Sequence, residues 1–246
     1  MSNYFKGLSY LFRGFSLIMH KGIRRYAFVP LLVNILIFSL AIYTGFTQFE
    51  GWMDSFLGSI SWLPDWLEKG ITWVLWPLFA ILITVATYYS FTMVANLIAA
   101  PFNSALAHKV ETVLRGHAET TEDNYSIVSI AGRTIASEVK KMGHMFKWLI
   151  LLLIITVIPG VNMIAPFAWI LYGVWMLALE YTDYPMGNHE LYFKEELGLL
   201  KKNRFAALGF GSGVMLLTTI PVVNFFAMPV SVAGGTAMWV DRLAKE

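Results

Sequence analysis

Two ten-residue stretches, TVIPGVNMIA at 156–165 and TTIPVVNFFA at 218–227, share Thr, Ile, Pro, Val, Asn and Ala in the same places, at a constant offset along the chain. Each lies inside a charge-free run, 148–179 and 205–240. Proline removes a backbone donor and clashes with the preceding turn, so neither run reads as one straight helix. The arms on either side of each proline, about 11 to 20 residues, are mostly short of the roughly 20 apolar residues that cross ~30 Å of hydrocarbon. Both ends of each run return to basic flanks. The pattern predicts an internal repeat of two helical hairpins, partially inserted from one face of a membrane, with corners at Pro159-x-x-Asn162 and Pro221-x-x-Asn224. Backbone that re-enters in this way must be buried in protein or line an aqueous cavity, so the corners are candidates for a passage.

The rest of the chain fits the same solvent. Of 246 residues, 57% are hydrophobic and 14% charged, against about 45–50% apolar and about 25% charged in soluble domains. Two further charge-free runs, 26–49 and 70–107, are long enough for full spans. No charge-free stretch occurs before residue 26 and no small-residue cleavage site follows the first run, so no removable signal is expected. The absence of cysteine excludes thiol catalysis, disulfides and thiolate metal sites. A formal net charge of +2 gives no reason to expect nucleic acid as a partner.

The placement of charge says more than its sum. Residues 1–25, 101–147, 180–204 and 241–246 hold 17 of the 18 Lys and Arg, and Lys69 is the exception. The positive-inside rule therefore puts both termini in the cytoplasm and residues 47–69 outside. The fold class expected is an all-α integral membrane protein with two long transmembrane helices, two partially inserted helical hairpins and amphipathic helices. Residues 1–246 form a single membrane domain. Within it, 1–20 reads as an amphipathic interfacial helix with a stripe of Phe5, Leu8, Leu11, Phe12, Phe15, Ile18 and Met19. Residues 22–46 hold the first span, and 47–69 a short outer cap with Trp52, Trp62 and Trp66. A long second span with a cytoplasmic extension covers 70–115, with a bend expected near Pro101 and Asn103. The hairpin regions are 126–180 and 190–241, after the polar loop GHAETTEDN at 116–124.

Four groups of residues compete as sites. HKGIRRYAFVP at 20–30 sets Lys21, Arg24 and Arg25 against the first span. One reading is topological anchoring. The other is an oxyanion site. A helix starting near Gly22 has four unpaired N–H groups and a partial positive charge at its head. The glycine lets an anion come close, and two guanidiniums supply forked donors. That set, Gly22, Ile23, Arg24 and Arg25, suits a tetrahedral dianion such as sulfate or phosphate. EYTDYPMGNHE at 180–190 clusters Glu180, Asp183, His189 and Glu190, and reads as a tight surface turn in water in preference to a metal or catalytic centre. Asn34, Asn96, Asn162 and Asn224 sit in apolar runs, where interhelical bonding or capping is the ordinary role. Glu111 and Arg115 form an i,i+4 pair, read as a surface or subunit-interface contact.

GIRRYAFVPLLVNILIF at 22–38, NLIAAPFNSALAHKVE at 96–111, YTDYPMGNH at 181–189 and IPVVNFFAMPVSVAGGTAMWVD at 220–241 resemble the CysZ sulfate permease family, which is related to the eukaryotic etoposide-induced membrane proteins. The resemblance implies sulfate uptake across the bacterial inner membrane for sulfur assimilation and cysteine biosynthesis, by a multi-pass homo-oligomer in the lipid bilayer. It also implies a Gly-Leu-Arg sulfate-binding element, which falls here on Gly22, Ile23 and Arg24, followed by Arg25. No enzyme activity, cofactor or metal is expected, and no Gly-x-x-x-x-Gly-Lys-Ser/Thr motif is present for nucleotide hydrolysis. The rival reading is a non-transporting membrane scaffold whose basic residues grip anionic lipid or partner proteins.

Overall fold

A computed structural model describes residues 3–59, 64–116 and 127–245. Every regular element among them is helical: α1 Asn3–Ile18, α2 Arg24–Ser59, α3 Asp65–Arg115, α4 Ile127–Val157, α5 Ala165–Gly187, α6 Phe193–Lys202, α7 Arg204–Thr219, α8 Pro221–Asn224 and α9 Ala227–Asp241, with 3-10 turns at Val161–Ile164 and Leu243–Lys245. The chain divides into two compact units, one of residues 1–27 and 102–246, the other of residues 28–101.

The first unit is built around α9. Residues Val230 to Trp239 are all buried, so this helix is covered on every side, as an all-round apolar helix must be. α1 and α5 each pack against both α7 and α9. Glycines set the spacing. A Cβ on Gly7 would lie 2.0 Å from the Ala206 carbonyl oxygen, and one on Gly209 would lie 1.9 Å from that of Tyr4. A Cβ on Gly211 would come within 2.0 Å of the Val174 oxygen, and one on Gly235 within 2.4 Å of the Tyr181 oxygen. Backbone thus meets backbone along both the α1 and the α5 seams. Polar ties close the ends: Arg13 on α1 pairs with Asp241 on α9, and Arg242 donates to Asn203 and, at 3.3 Å, to Asn3.

This arrangement gives the helix expected over 1–20 a second, covered face. The predicted stripe divides: Leu11 and Ile18, with Gly7 and Gly14, face α7 and α9, whereas Phe5, Phe12 and Met19 remain exposed. Apolar spacing reports a helical face without saying whether lipid or another helix covers it. Gly7 and Gly14, two helical turns apart on the covered face, carried the missing information.

The Pro-x-x-Asn corners interrupt their helices as expected. α4 ends at Val157, Gly160 takes φ 84°, and α5 starts at Ala165. α7 ends at Thr219, Ile220 is extended, and α8 and α9 follow. The repeat holds in the backbone: the Asn162 N–H bonds the Ile158 carbonyl at 3.0 Å, and the Asn224 N–H bonds the Ile220 carbonyl at 2.8 Å, atom for atom at the same offset. In the first copy the arms return antiparallel. Trp169 Nε1 donates to Thr156 Oγ1 at 3.1 Å, Tyr172 Oη to the Met145 carbonyl at 3.2 Å, and Lys141 reaches Asp183 at 2.5 Å.

Among the described residues, one helical stretch, Val161–Gly187, is long and apolar enough to cross a membrane by length and composition. The expected arm stopped at Glu180, the first charge. The helix continues because Glu180 and Asp183 meet Lys141 from α4, at 3.6 and 2.5 Å. The stretches expected as full spans, 22–46 and 70–115, fall on α2 and α3. α2 runs on to Ser59, so 47–59 continues that helix and is no separate cap. Trp62, residues 117–124 and the side chains of Asn34 and Asn96 lie outside what is described. α3 is helical through both Pro77 and Pro101, so a bend near 100 leaves the helix unbroken. The link from α5 to α7 carries α6, whose start is capped by the Glu195 carboxylate accepting from the Tyr192 N–H at 2.8 Å and whose last turn holds Lys201 and Lys202, the charge order that a helix dipole favours.

The glycine seams make a direct prediction. Gly209→Ala and Gly7→Ala force the backbones apart and lower stability by about 1–3 kcal/mol. Gly198→Ala on α6, where a Cβ meets nothing within 4 Å, is neutral or gains about 0.5–1 kcal/mol. Thermal unfolding of the three purified variants in one detergent measures both.

Candidate functional site

The basic stretch forms a turn that hands the chain from α1 to α2. His20 organises it: its carbonyl accepts from the Ile23 and Arg24 N–H groups at 2.9 and 3.0 Å, and its Nδ1 accepts from the Gly22 N–H at 3.3 Å. Ile23 is wholly buried and pins the turn, while Lys21, Arg24 and Arg25 are exposed. Helix α2 starts at Arg24, later than the expected start near Gly22. The backbone part of the predicted site is therefore already occupied at Gly22, Ile23 and Arg24, and the guanidiniums are what the turn presents. Arg25 lies over the Tyr26 ring, 5.1 Å from its centroid, and reaches the Tyr26 hydroxyl at 3.4 Å. Cation–π contact of this kind orients a guanidinium without neutralising it.

One cation was not anticipated. Lys109 on α3 passes beside the turn, with its Cε 4.0 Å from where a Cβ on Gly22 would stand. It belongs to the quoted block 96–111, but nothing in its spacing connects it with residue 22. Lys21, Arg24, Arg25 and Lys109 thus surround one turn, and among the described residues none of the four forms an ion pair with a carboxylate. A concentration of unneutralised cations is a field that attracts anions.

Deeper in the same unit is a polar network that the sequence reading placed elsewhere. Glu111 is buried, not on the surface. Its oxygens lie 2.8 Å from Arg115 Nε and 2.9 Å from His189 Nε2, and Oε1 also accepts from Trp239 Nε1 at 3.3 Å. Burial raises the Glu111 pKa. The hydrogen bond and charge of His189, the charge of Arg115 and the Trp239 bond outweigh it and hold the carboxyl below its ordinary value. Asn188 Nδ2 donates to the Ser104 carbonyl at 2.9 Å, a second tie between α3 and the end of α5. The stretch 180–190 is accordingly no surface turn in water. Thr182, Pro185 and Met186 are buried, and the chain turns only after Met186, with the His189 N–H on the Met186 carbonyl at 3.0 Å and Glu190 at φ 56°. Among the described residues no group of three or more His, Asp or Glu is placed to hold a metal ion.

The family described as "Sulfate transporter CysZ/Etoposide-induced protein 2.4" matches residues 10–229. The chain belongs to the CysZ family. It is 41% identical to the "Sulfate transporter CysZ" of Pseudomonas aeruginosa over 235 residues, 95% of this chain and 94% of that one. Identity with the protein of the same name from Pseudomonas syringae pv. tomato is 43%, over 95% and 91% of the two chains. With that of Pseudomonas fluorescens it is 41%, over 98% and 95%. Membership places the chain in a transporter family, not among enzymes.

This CysZ-family chain leaves its corner residues uncovered. Pro159, Asn162, Pro221 and Asn224 are all exposed in the single protomer, and large apolar side chains surround the first corner, with Val157 and Met163 each 78% exposed. Such a surface calls for lipid or another protein surface over it. The Glu111 network is the feature that sequence reading missed. The i,i+4 spacing announced the pair with Arg115, but His189 and Trp239 lie 78 and 128 residues away in the chain.

Glu111→Gln removes the charge that satisfies Arg115 and His189 and costs about 1–3 kcal/mol at neutral pH. A carboxyl held below its ordinary value stabilises the fold above that value and loses this contribution as pH falls through it. Wild type therefore shows an acid loss of stability beginning near the ordinary 4.5, and the Gln variant lacks that component. Unfolding midpoints measured from pH 7 down to 3 report both.

Proposed function

We propose that this protein transports sulfate across the bacterial inner membrane and supplies sulfur assimilation and cysteine biosynthesis. The carrying observation is 41–43% identity, end to end, with proteins named sulfate transporters. In the proposed site the dianion is held by the side chains of Arg24 and Arg25 on the turn that begins at Gly22, with Ile23 as its buried anchor and Lys109 adding charge. The engaged N–H groups of Gly22, Ile23 and Arg24 position these cations. A tetrahedral oxyanion presents paired oxygens that match a guanidinium's forked donors, whereas a halide does not.

In this reading α2 and α3 supply the two full spans, and the corners at Pro159 and Asn162 and at Pro221 and Asn224 turn within the bilayer. The exposed apolar surface around Val157 and Met163 supports this placement. Both termini face the cytoplasm with the basic residues, by the charge rule that fixes membrane topology. The protein works as a homo-oligomer whose packed copies enclose the passage. The scaffold alternative shares the basic turn but predicts no uptake.

Arg24→Ala with Arg25→Ala tests the site. Hydrogen bonds to charged groups are worth about 1.5–3 kcal/mol each, so sulfate binding falls by at least about tenfold per arginine. Labelled sulfate uptake falls with it in liposomes containing correctly inserted protein. Retained binding and uptake make the turn a topological anchor, and absence of uptake by wild type favours the scaffold.

A further inference from the structure

A single residue closes the turn between α1 and α2. The main-chain carbonyl of His20 accepts the N–H groups of Ile23 and Arg24 at 2.9 and 3.0 Å, which engages both of its lone pairs. The N–H of Gly22 goes instead to the ring, 3.3 Å from Nδ1. A Cβ built on Gly22 would stand 3.6 Å from that Nδ1, 3.9 Å from Cε1 of the same ring and 4.0 Å from Lys109 Cε. The imidazole and Lys109 therefore flank Gly22 on one side, and nothing presses on it more closely than these ordinary contacts.

Charge repulsion works against this turn. Lys21, Arg24, Arg25 and Lys109 surround it, and among the described residues none of them pairs with a carboxylate. Like charges at short range drive each other apart. Ile23 is held by burial and Arg25 by the Tyr26 ring and hydroxyl. Gly22 has neither support, and glycine has more backbone freedom than any other residue, so it is the joint at which the turn would open. The bond from its N–H to the His20 ring ties that joint. The acceptor is neutral: Nδ1 accepts only when unprotonated, so the ring keeps its one proton on Nε2 and adds no charge. An acidic acceptor would close the turn as well, but it would cancel a cation that an anion needs.

We propose that His20 is a positioning residue of the sulfate turn, whose neutral ring accepts the Gly22 N–H and holds the turn closed against the repulsion of the cations around it. Arg24 and Arg25 are then already gathered when the dianion arrives. This inference rests on the reading of the turn as the sulfate site. In this role His20 acts through the arginines and spares the anion the cost of ordering its own site, which is how preorganisation raises affinity.

Three substitutions at one position separate the acceptor from the charge. His20→Ala removes the acceptor. His20→Asn restores a neutral one, since the side-chain oxygen of an Asx turn takes the N–H two residues on. His20→Asp restores the acceptor but makes it anionic. The measurement is equilibrium binding of labelled sulfate to the full-length protein in detergent. Affinity falls about threefold to tenfold in His20→Ala, the worth of one neutral hydrogen bond, and His20→Asn recovers it to within about twofold of wild type. His20→Asp falls at least as far as His20→Ala, because its charge opposes the dianion. His20 is exposed, so the unfolding midpoint of His20→Ala stays at the wild-type value, which a purely structural loss would lower. Nitrogen NMR of the histidine-labelled protein at pH 8, with the His20 signal identified by its absence from His20→Asn, shows an unprotonated, hydrogen-bonded Nδ1. A protonated Nδ1, a His20→Ala protein that binds sulfate like wild type, or a His20→Asn protein that binds no better than His20→Ala overturns the proposal. The Arg24→Ala, Arg25→Ala double variant distinguishes two failures. If it loses sulfate while His20→Ala keeps it, the role of His20 falls and the site stands. If it keeps sulfate, the turn is not the site and both fall together.

Discussion

The constraint on which the rest of this structure depends is the close approach of backbones around α7 and α9. A helix buried on all sides needs neighbours whose surfaces are small enough to reach it, and glycine is the residue that allows this. Gly7, Gly14, Gly209, Gly211 and Gly235 each stand where a Cβ would collide with a carbonyl oxygen of the adjoining helix. In a lipid solvent no hydrophobic gain separates helix from bilayer, so tight dispersion contact along small-residue seams is the main cohesive term available. The same seams decide where everything else goes. With α1 held against α7 and α9, the turn at 19–23 is fixed, and with it the start of α2 and its two arginines. With α5 held against α7 and α9, His189 and Trp239 converge on Glu111.

Polar groups complete this framework where packing cannot. Glu111 joins α3, α9 and the segment after α5 through Arg115, Trp239 and His189. Lys141 does the same for α4 and α5, and lets α5 carry Glu180 and Asp183 at its end. A charge within an apolar helix ends it only when nothing nearby satisfies the charge. Lys141 is also largely buried, and the attraction of Asp183 and Glu180 exceeds its burial cost, which keeps it protonated.

Much of this was legible in the sequence, and the boundary between legible and illegible follows sequence distance. The helical class, the corners at Pro159 and Pro221 and the likeness to CysZ proteins rest on local chemistry or on long contiguous blocks. Proline breaks a helix wherever it stands, and the constant offset between the two corners can be counted along the chain. The partner of α1, the continuation of α5 past Glu180, the burial of Glu111 and the approach of Lys109 to Gly22 depend on contacts between residues far apart in the chain. At the basic turn the residue types were readable, but the role of His20 as the acceptor for three N–H groups was not, because an isolated histidine gives no sign of its partners. The continuation of α2 through 47–59 has no local sign either, because a tryptophan such as Trp52 marks surface composition and not a helix end.

The pairing of α1 with α7 and α9 has a consequence for how the protein is made. Arg13 meets Asp241 and Gly7 meets Ala206, so the partners of the first helix lie near the far end of the chain. At about 5–20 residues per second a ribosome needs on the order of 10–40 s to supply the partners of α1 once that helix has emerged. During that interval its glycine face has nothing to close on, and its exposed Phe5, Phe12 and Met19 can rest on a membrane surface. In the finished protein α1 therefore keeps two faces, a glycine face closed on α7 and α9 and an apolar face of Phe5, Phe12 and Met19 left open.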